Sequence, residues 1–358
     1  MTEAIMSERT GRGGPGASRR RLVSVTRESM VETAPLFAGS RLPLVVIPSA
    51  AGRLDLAVWA ADHREEVSAR LAEHGGILFR GFGVRTAEEF HGLIAAVSGE
   101  ALEYSERSSP RSRVAGSNIY TSTDYPASQT IFVHNENSYK RSFNQKIFFF
   151  CETAPARGGE TPIADCRRVY ERIPEAVRER FAQRGWMYVR NYGDGFGLDW
   201  PTAFQTDDPR AVEEHCRRNG IAVEWREGGR LRTHAVLPAV VRHPRTGEPV
   251  WFNHATFFHV STLDPALRAG LLAGFEDEAE LPTNTYYGDG SPIEPETLDV
   301  LREAYREETV SFAWERGDVL LLDNILAAHG RAPYEGARRI LVGMTELINR
   351  SEARPEEL

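Results

Sequence analysis

Apolar runs and helix-like stretches alternate along the first hundred residues. Residues 44–47 predict a first strand, and the pattern of residues 55–73 predicts a helix that a pair of glycines ends. Residues 77–79 and 87–97 predict a buried strand and a second helix. The polar stretch 105–128, rich in Ser, Thr, Arg and Asn, predicts a loop or lid.

From residue 130 onward, short β-branched or aromatic runs dominate, with helical stretches between them. The predicted strands are residues 130–133, 146–152, 238–242, 249–253, 309–314, 319–322 and 340–344, and the predicted helices are 167–183, 263–280 and 295–307. Many short strands with inserted helices predict a mainly β fold of α+β type, with a jelly-roll (double-stranded β-helix) core.

The amino-terminal segment differs in composition from the rest of the chain. The Gly-rich residues 11–18 are followed by three consecutive arginines, which predicts a disordered arm. We therefore predict a flexible leader over residues 1–35 and a single domain over 36–358. The full chain of 358 residues, 41% of them hydrophobic, is long enough to bury a complete core.

Charge and cysteine content exclude several classes of protein. A net charge of −8 disfavours general binding to nucleic acid, which requires a basic surface. No apolar run approaches the roughly 20 residues that cross a bilayer, and no apolar segment follows the arginines as a secretion signal requires. The three cysteines are far apart, which disfavours a disulfide framework or a structural zinc site. The pattern therefore predicts a cytoplasmic protein that binds neither membrane nor nucleic acid.

An H-x-E pair is the first candidate for chemistry. His134 and Glu136 follow an apolar run, and in a strand residues i and i+2 point to the same face. A second histidine from elsewhere would complete the two-histidine, one-carboxylate triad of non-haem iron oxygenases. The other H-x-E pair, His63 and Glu65, lies in a helical stretch where the two residues do not share a face, so we interpret it as helix surface.

The carboxy-terminal segment offers that second histidine. A Gly-Asp turn leads into an apolar strand, and His329 follows beyond its end, with a Gly- and Pro-containing loop after it. Arg338 and Arg339 open the last strand. A guanidinium at this distance from a metal-binding histidine suits the far carboxylate of 2-oxoglutarate, whereas the alternative is an exposed strand end.

Three stretches carry a family resemblance: "VHNENSY", "PARGGETPIADCRRVYERIP" and "GDVLLLDNILAAHGRAPYEGARRILVGM". From about residue 75 onward, the chain resembles the TauD/TfdA-like 2-oxoglutarate dioxygenases, with its closest likeness to their SyrP-like and clavaminate-synthase-like branch. The resemblance implies iron(II), 2-oxoglutarate and dioxygen as cofactor and cosubstrates. It also implies that residues 36–358 are one dioxygenase domain, with helical insertions between the first and last metal ligands.

The same resemblance assigns roles to individual residues. His134, Glu136 and His329 match the iron ligands of the family. Thr161 matches the threonine that bonds the 2-oxoglutarate carboxylate, and one of Arg338 and Arg339 matches the arginine that pairs with it, with Arg338 favoured.

Two departures from the family pattern bear on the substrate. The carboxylate is Glu136 where taurine-type members have Asp, and its presence distinguishes the site from halogenating members, which carry a small residue there. Four residues after the candidate arginine stands Val342 or Gly343, where sulfonate-cleaving members have a substrate-binding arginine. A taurine-like sulfonate substrate is therefore disfavoured.

Candidate substrate contacts come from three places in the chain. Residues 251–259 resemble a family segment that lines the active-site cavity, so Asn253 and His254 are candidates, although a buried core role is equally compatible with the sequence. Asn118 and Ser138 are further candidates, because both lie where a substrate can be reached.

The function predicted from these features is oxidation, by default hydroxylation, of an amino acid or amino-acid-derived small molecule in bacterial secondary metabolism. The substrate can be free or tethered to a carrier protein. Three alternatives stay open from the sequence: desaturation or cyclisation at the same site, a non-redox cupin-like metal hydrolase or isomerase, and a jelly-roll binding module without activity.

Overall fold

A computed structural model describes residues 30–49, 54–103, 112–114, 118–123, 125–193, 195 and 197–353. No helix within these ranges is long and apolar enough to cross a membrane. Residues 1–29, which form most of the predicted leader, lie outside the described residues. The first strand begins at Val31, inside the predicted leader segment.

The strands are β1 (Val31–Pro35), β2 (Leu44–Pro48), β3 (Gly76–Phe79), β4 (Tyr120–Thr121), β5 (Ile131–His134), β6 (Ser142–Thr153), β7 (Arg157–Gly158), β8 (Ile163–Asp165), β9 (Trp186–Tyr192), β10 (Ala222–Arg226), β11 (Arg230–Leu237), β12 (Val240–Arg242), β13 (Pro249–Trp251), β14 (Thr283–Tyr287), β15 (Thr309–Val310), β16 (Val319–Asp323), β17 (Ala327–Arg331), β18 (Tyr334–Glu335) and β19 (Arg339–Asn349). The α-helices are α1 (Leu56–Asp62), α2 (Arg64–His74), α3 (Ala87–Ser98), α4 (Cys166–Arg172), α5 (Glu175–Arg184), α6 (Trp200–Phe204), α7 (Pro209–Asn219), α8 (Pro265–Ala273) and α9 (Pro295–Glu308).

Two sheets form the framework of the fold. A seven-stranded sheet has the order β1-β2-β3-β16-β6-β19-β4, and a four-stranded sheet has the order β15-β8-β17-β5. Buried side chains from β6, β16 and β19 pack against side chains from β8 and β17, so a shared core lies between the two sheets. This arrangement explains the unbroken apolar run in β6, since its other face is buried as well.

The second face of the large sheet is covered by α1, α2 and α3. Phe148 and Phe150 of β6 pack with Trp59 of α1 and Phe90 of α3, whereas the alternate residues of β6 point into the core between the sheets. The α3 helix begins at the N-cap Thr86, whose hydroxyl accepts from the Glu89 amide, and the Glu89 carboxylate accepts from the amide of Arg85.

Most of the predicted elements are present, and the predicted fold class, mainly β with inserted helices, is confirmed. The helix predicted over 55–73 is two helices, because the chain bends at His63, whose Nδ1 bonds the Trp59 carbonyl. The helix predicted over 263–280 is shorter, because α8 ends at Ala273 and only a short 3-10 turn follows at Glu278–Glu280. Of the strand predicted over 309–314, only Thr309–Val310 (β15) is a strand in the structure.

One whole sheet was absent from the sequence-based prediction. Strands β10, β11, β9 and β14 form a separate four-stranded sheet, with α6 and α7 inserted between β9 and β10. In β11, buried positions alternate with partly exposed positions occupied by arginines and a histidine. Such strands carry polar residues on one face, and their weak apolar signal explains why the sequence did not reveal them.

Candidate metal centre

The two candidate histidine ligands lie opposite each other in neighbouring strands. His134 ends β5, and His329 in β17 is its direct partner in the antiparallel register. Their ring centroids are 4.8 Å apart. The Nδ1 of His134 donates to the Phe132 carbonyl at 2.8 Å, which leaves its Nε2 with a lone pair for a metal.

Packing orients both imidazoles. His134 stacks on Phe257 with centroids 4.1 Å apart, and His329 packs edge-on against Phe149 at 4.9 Å. The Nδ1 of His329 is buried without a hydrogen-bond partner among the described residues. The ring of His329 is therefore positioned by its strand and by Phe149 rather than by a hydrogen bond.

The candidate carboxylate ligand comes from a turn. Glu136 lies two residues beyond the end of β5, so the expectation that it shares a strand face with His134 is wrong. Its Oε2 is nevertheless 3.8 Å from the Nε2 of His329. The side chain of Glu136 is almost completely buried.

The donor set fits an iron(II) ion. The candidate ligand atoms of His134, Glu136 and His329 all lie within 4.8 Å of one another, which is close enough for one ion to contact all three after minor side-chain rotation. Two imidazoles and one carboxylate are the donors of the facial triad that leaves further metal positions open. The Nδ1 of His329 is buried and has no hydrogen-bond partner among the described residues. No protein acceptor in the described part of the chain therefore holds this ring in another orientation.

Gly330 permits the close approach of the two histidine-bearing strands. A Cβ atom at this position would lie 2.5 Å from the carbonyl oxygen of Ile131 in β5. A Gly330→Ala variant is therefore expected to lose about 1–3 kcal/mol of unfolding free energy and to bind iron(II) more weakly, because β17 must move away from β5. Thermal denaturation and anaerobic iron(II) titration measure the two effects. Gly92→Ala is the control, since Gly92 lies in α3 with open space around it. If Gly330→Ala matched this control in both measurements, the strand-spacing role would be wrong.

A narrow cavity borders the two candidate histidine ligands. Its lining includes His134, His329, Thr161, Arg331, Arg338 and Val342. Val342 stands four residues after Arg338, so the wall is apolar where sulfonate-cleaving members carry an arginine.

The structure separates the two candidate arginines. The guanidinium of Arg338 faces the narrow cavity and is held by the carbonyl of Gly159 at 2.9 Å and the hydroxyl of Ser122 at 3.3 Å. Arg339 is exposed and pairs with Glu152 at 2.7 Å. Of the two candidate arginines, the structure therefore brings only Arg338, the favoured one, to the site.

Arg338 is a cation in an environment with few compensating charges. Burial, and then the neighbouring Arg331, lower the pKa of Arg338 to about 10. The guanidinium remains protonated at neutral pH. No carboxylate of the described residues forms an ion pair with it, so an incoming anion would gain the full attraction of a partly desolvated charge.

Thr161 lies in the same cavity wall. Its hydroxyl oxygen is buried and accepts a hydrogen bond from the indole nitrogen of Trp314 at 3.1 Å. The hydroxyl proton is thereby directed elsewhere, and it can be donated to a carboxylate in the cavity. Trp314 was not identified from the sequence, because no local pattern links residues this far apart.

Arg331 is a second residue that the sequence did not single out. It lies two residues after His329 on β17, is buried, and lines the narrow cavity. Its guanidinium donates to the carbonyls of Tyr125, Pro126 and Gln129. Arg331 therefore holds the segment that leads into β5, and the i to i+2 spacing from a candidate ligand was the available signal.

A second, larger cavity of about 790 Å³ borders His134 and Glu136. Its volume is in the range of cavities that bind small molecules. His134 and Glu136 form part of its wall, and aromatic residues such as Tyr139, Phe257 and Phe258 surround them. No lysine or arginine is among the residues found in this wall.

His254 presents its ring to the larger cavity. Its Nδ1 is 2.5 Å from the hydroxyl of Ser138, and its ring lies 5.5 Å from that of His134. Burial lowers the pKa of His254 well below its usual range, and the neighbouring His134 adds to this effect. The imidazole is therefore neutral, and with Ser138 donating to Nδ1 the proton of the ring lies on Nε2.

The other candidate substrate contacts lie elsewhere. Ser138 supports His254 and is not part of the cavity wall. Both groups of the Asn253 amide bond the backbone, at Ala239 and Ala255, so Asn253 has the core role. Asn118 bonds the Ala101 carbonyl and the Arg113 guanidinium and is not among the residues that line either cavity, so the structure does not bring it to the site.

The rim of the larger cavity is formed in part by α8. Pro265 and Leu271 of this helix, and Leu263 just before it, belong to the cavity wall. None of the nine residues of α8 is buried, although the helix is rich in leucine and alanine. Its Asp264 N-cap accepts hydrogen bonds from the Ala266 and Leu267 amides.

Sequence comparison identifies relatives of known family. The family model described as "Taurine catabolism dioxygenase TauD, TfdA family" matches residues 41–345. The dapdiamide synthesis protein DdaC of Enterobacter agglomerans is 41% identical over 278 residues, which are 78% of this chain and 84% of DdaC. A clavaminate synthase-like protein of Arabidopsis thaliana is 33% identical over 286 residues, covering 76% of this chain and 82% of that protein.

Structural comparison identifies the fold. The PvcB protein of Pseudomonas aeruginosa matches 90% of this chain and 93% of its own with a TM-score of 0.54 and 16% identity. A second PvcB structure, described as an iron- and α-ketoglutarate-dependent oxygenase from an isonitrile synthetic pathway, covers 93% of this chain and 94% of its own with a TM-score of 0.53 and 16% identity. The predicted jelly-roll type of fold is therefore confirmed.

Proposed function

The chain belongs to the TauD/TfdA family and is an iron(II)- and 2-oxoglutarate-dependent dioxygenase, and we propose that His134, Glu136 and His329 hold its iron. The predicted cofactor set of iron, 2-oxoglutarate and dioxygen is that of the family. The observation that carries the ligand assignment is the convergence of three donors, two of them buried, at the wall of two cavities.

We further propose that the narrow cavity holds 2-oxoglutarate. Arg338 provides a planar, charged fork for the far carboxylate, and Thr161 donates its hydroxyl proton to the same ligand. His134 and His329 line this cavity, so the keto-acid end of a molecule bound by Arg338 would lie next to the metal ligands. When bound, iron and 2-oxoglutarate supply the activation of dioxygen.

The substrate is proposed to occupy the larger cavity. The aromatic side chains surround its carbon skeleton, and the Nε2–H of His254 hydrogen-bonds a carbonyl or hydroxyl oxygen of it. The proposed reaction is hydroxylation of a C–H group. One oxygen atom of dioxygen enters the substrate and the other enters succinate, as 2-oxoglutarate loses carbon dioxide.

An amino-acid-derived small molecule of bacterial secondary metabolism is the proposed substrate class. This proposal is supported by the 41% identity to DdaC, whose name refers to dapdiamide synthesis. The volume of about 790 Å³ exceeds what a small free amino acid needs. The absence of lysine and arginine from the described wall favours a substrate whose carboxylate is masked as an amide or ester over a free carboxylate.

The test is an anaerobic titration of the protein with iron(II) and then 2-oxoglutarate, followed by the visible charge-transfer band of the chelate. A panel of matched acids and amides of amino-acid derivatives, free and carrier-linked, is then scored by succinate release and by mass increase of the substrate. We expect the band, and substrate-dependent succinate with a gain of one oxygen for an amide or thioester. If metal-loaded protein gave neither the band nor succinate, the site assignment would be contradicted. A preference for free acids would contradict the proposed substrate class.

A further inference from the structure

The backbone of Glu136 is bonded by one distant side chain. The Oδ1 of Asn324 accepts from the Glu136 amide at 2.7 Å, and its Nδ2 donates to the Glu136 carbonyl at 2.9 Å. The same Nδ2 donates to the carbonyl of Asn144 at 2.9 Å. The fully buried side-chain amide of Asn324 therefore bonds both the amide and the carbonyl of the Glu136 backbone, as the backbone of a neighbouring strand would.

Asn324 itself is fixed by its surroundings. Its backbone amide donates to the Gln145 carbonyl at 2.7 Å, and its backbone carbonyl accepts from the side chain of Asn135 at 2.7 Å. The preceding residue, Asp323, caps the turn by accepting from the Ile325 and Leu326 amides. The side chain that reaches Glu136 thus follows directly after the end of β16, an interior strand of the large sheet.

Glu136 needs such support because of its place in the chain. It lies in a turn beyond β5, and the next residue, Asn137, has a φ of +59°. A glutamate side chain also has three rotatable bonds, so its carboxylate is placed accurately only if its backbone is held. Asn324 precedes His329 by five residues, so a single segment delivers one candidate ligand and holds the backbone of another.

From these contacts we propose that Asn324 is a positioning residue for the carboxylate ligand, an inference that rests on the proposed role of Glu136 in binding iron. Both hydrogen bonds join Asn324 to the backbone of Glu136 and leave its carboxylate group to the ion. They therefore hold the backbone from which the Glu136 carboxylate reaches the ion. Loss of an outer-sphere partner of this kind typically weakens metal binding about 10- to 100-fold.

The test compares Asn324→Asp and Asn324→Ser with Asn191→Asp. Asn191 is a matched control in β9, since it is also buried and its Nδ2 donates to two carbonyls, of Ala279 and Leu281. All three variants are expected to lower the melting temperature. Only the Asn324 variants are expected to weaken anaerobic iron(II) binding about 10- to 100-fold and to shift the band of the iron–2-oxoglutarate chelate. Asn191→Asp is expected to bind within threefold of the unchanged protein.

Two further measurements make the result decisive. Folded Asn324 variants that bind iron(II) within threefold of the unchanged protein would overturn the inference. If both variants fail to fold, hydrogen exchange of the unchanged protein tests the inference instead. The Glu136 amide is expected to be equally protected from exchange with and without iron(II). Protection that appears only with iron(II) would overturn the inference. A His134→Ala control separates this outcome from failure of the proposed function, since iron binding that survives His134→Ala contradicts the ligand assignment itself.

Discussion

A His329→Ala variant is expected to lose more than about 100-fold in iron(II) affinity, beyond the upper end of the effect of losing an outer-sphere partner. It is also expected to lose 2-oxoglutarate turnover. The imidazole of His329 is the donor that β17 contributes, and it is buried opposite His134. Without it, two protein donors remain, which is one fewer than the two-histidine, one-carboxylate set that would hold the ion. Anaerobic titration and succinate release measure the two losses.

His63→Ala is the matched control for this experiment. His63 belongs to the second H-x-E pair of the chain, and its Nδ1 bonds the Trp59 carbonyl between α1 and α2. We expect this variant to bind iron(II) and to release succinate as the unchanged protein does. Equal losses in the two variants, or retained iron binding in His329→Ala, would contradict the proposed centre.

An Arg338→Gln variant is expected to raise the dissociation constant for 2-oxoglutarate by about 30-fold or more. Removal of one partner of a buried, hydrogen-bonded charge pair costs about 2–5 kcal/mol, and each 1.4 kcal/mol corresponds to a factor of ten. Iron(II) binding without 2-oxoglutarate should change little, because Arg338 is not among the candidate donors. Titration of iron-loaded protein with 2-oxoglutarate gives the dissociation constant.

Arg339→Gln provides the comparison, because it removes the same charge one residue away. Arg339 is exposed and paired with Glu152, so the expected change in 2-oxoglutarate affinity is less than twofold. A larger effect from Arg339→Gln than from Arg338→Gln would show that the register of β19 at the cavity is not the one described.

The sequence identified the three candidate metal ligands but not how they meet. The H-x-E spacing and the strand before His329 were visible in the chain, whereas the direct pairing of β5 with β17 is a long-range register that local patterns do not encode. The turn geometry of Glu136 was missed for a related reason. Its support comes from Asn324, which lies 188 residues away in sequence.

The two adjacent candidate arginines show the same limit of sequence-based prediction over a short stretch of chain. Arg338 and Arg339 are adjacent, and a register irregularity between Arg339 and Ile340 in the pairing of β19 with β6 obscures a simple alternation of faces. The Trp314–Thr161 hydrogen bond was also invisible, because it joins residues 153 positions apart. The sequence therefore predicted which residue types do the chemistry, and the structure supplied their partners.

The weak anchoring of α8 has a consequence for how this enzyme can diversify. This helix borders the larger cavity, yet it contributes no buried side chain to the core. Exchanging its leucines or alanines would therefore cost little folding energy while changing the shape of the wall of the proposed substrate cavity. New substrate preferences can arise there by mutation, with the iron-binding strands left as they are.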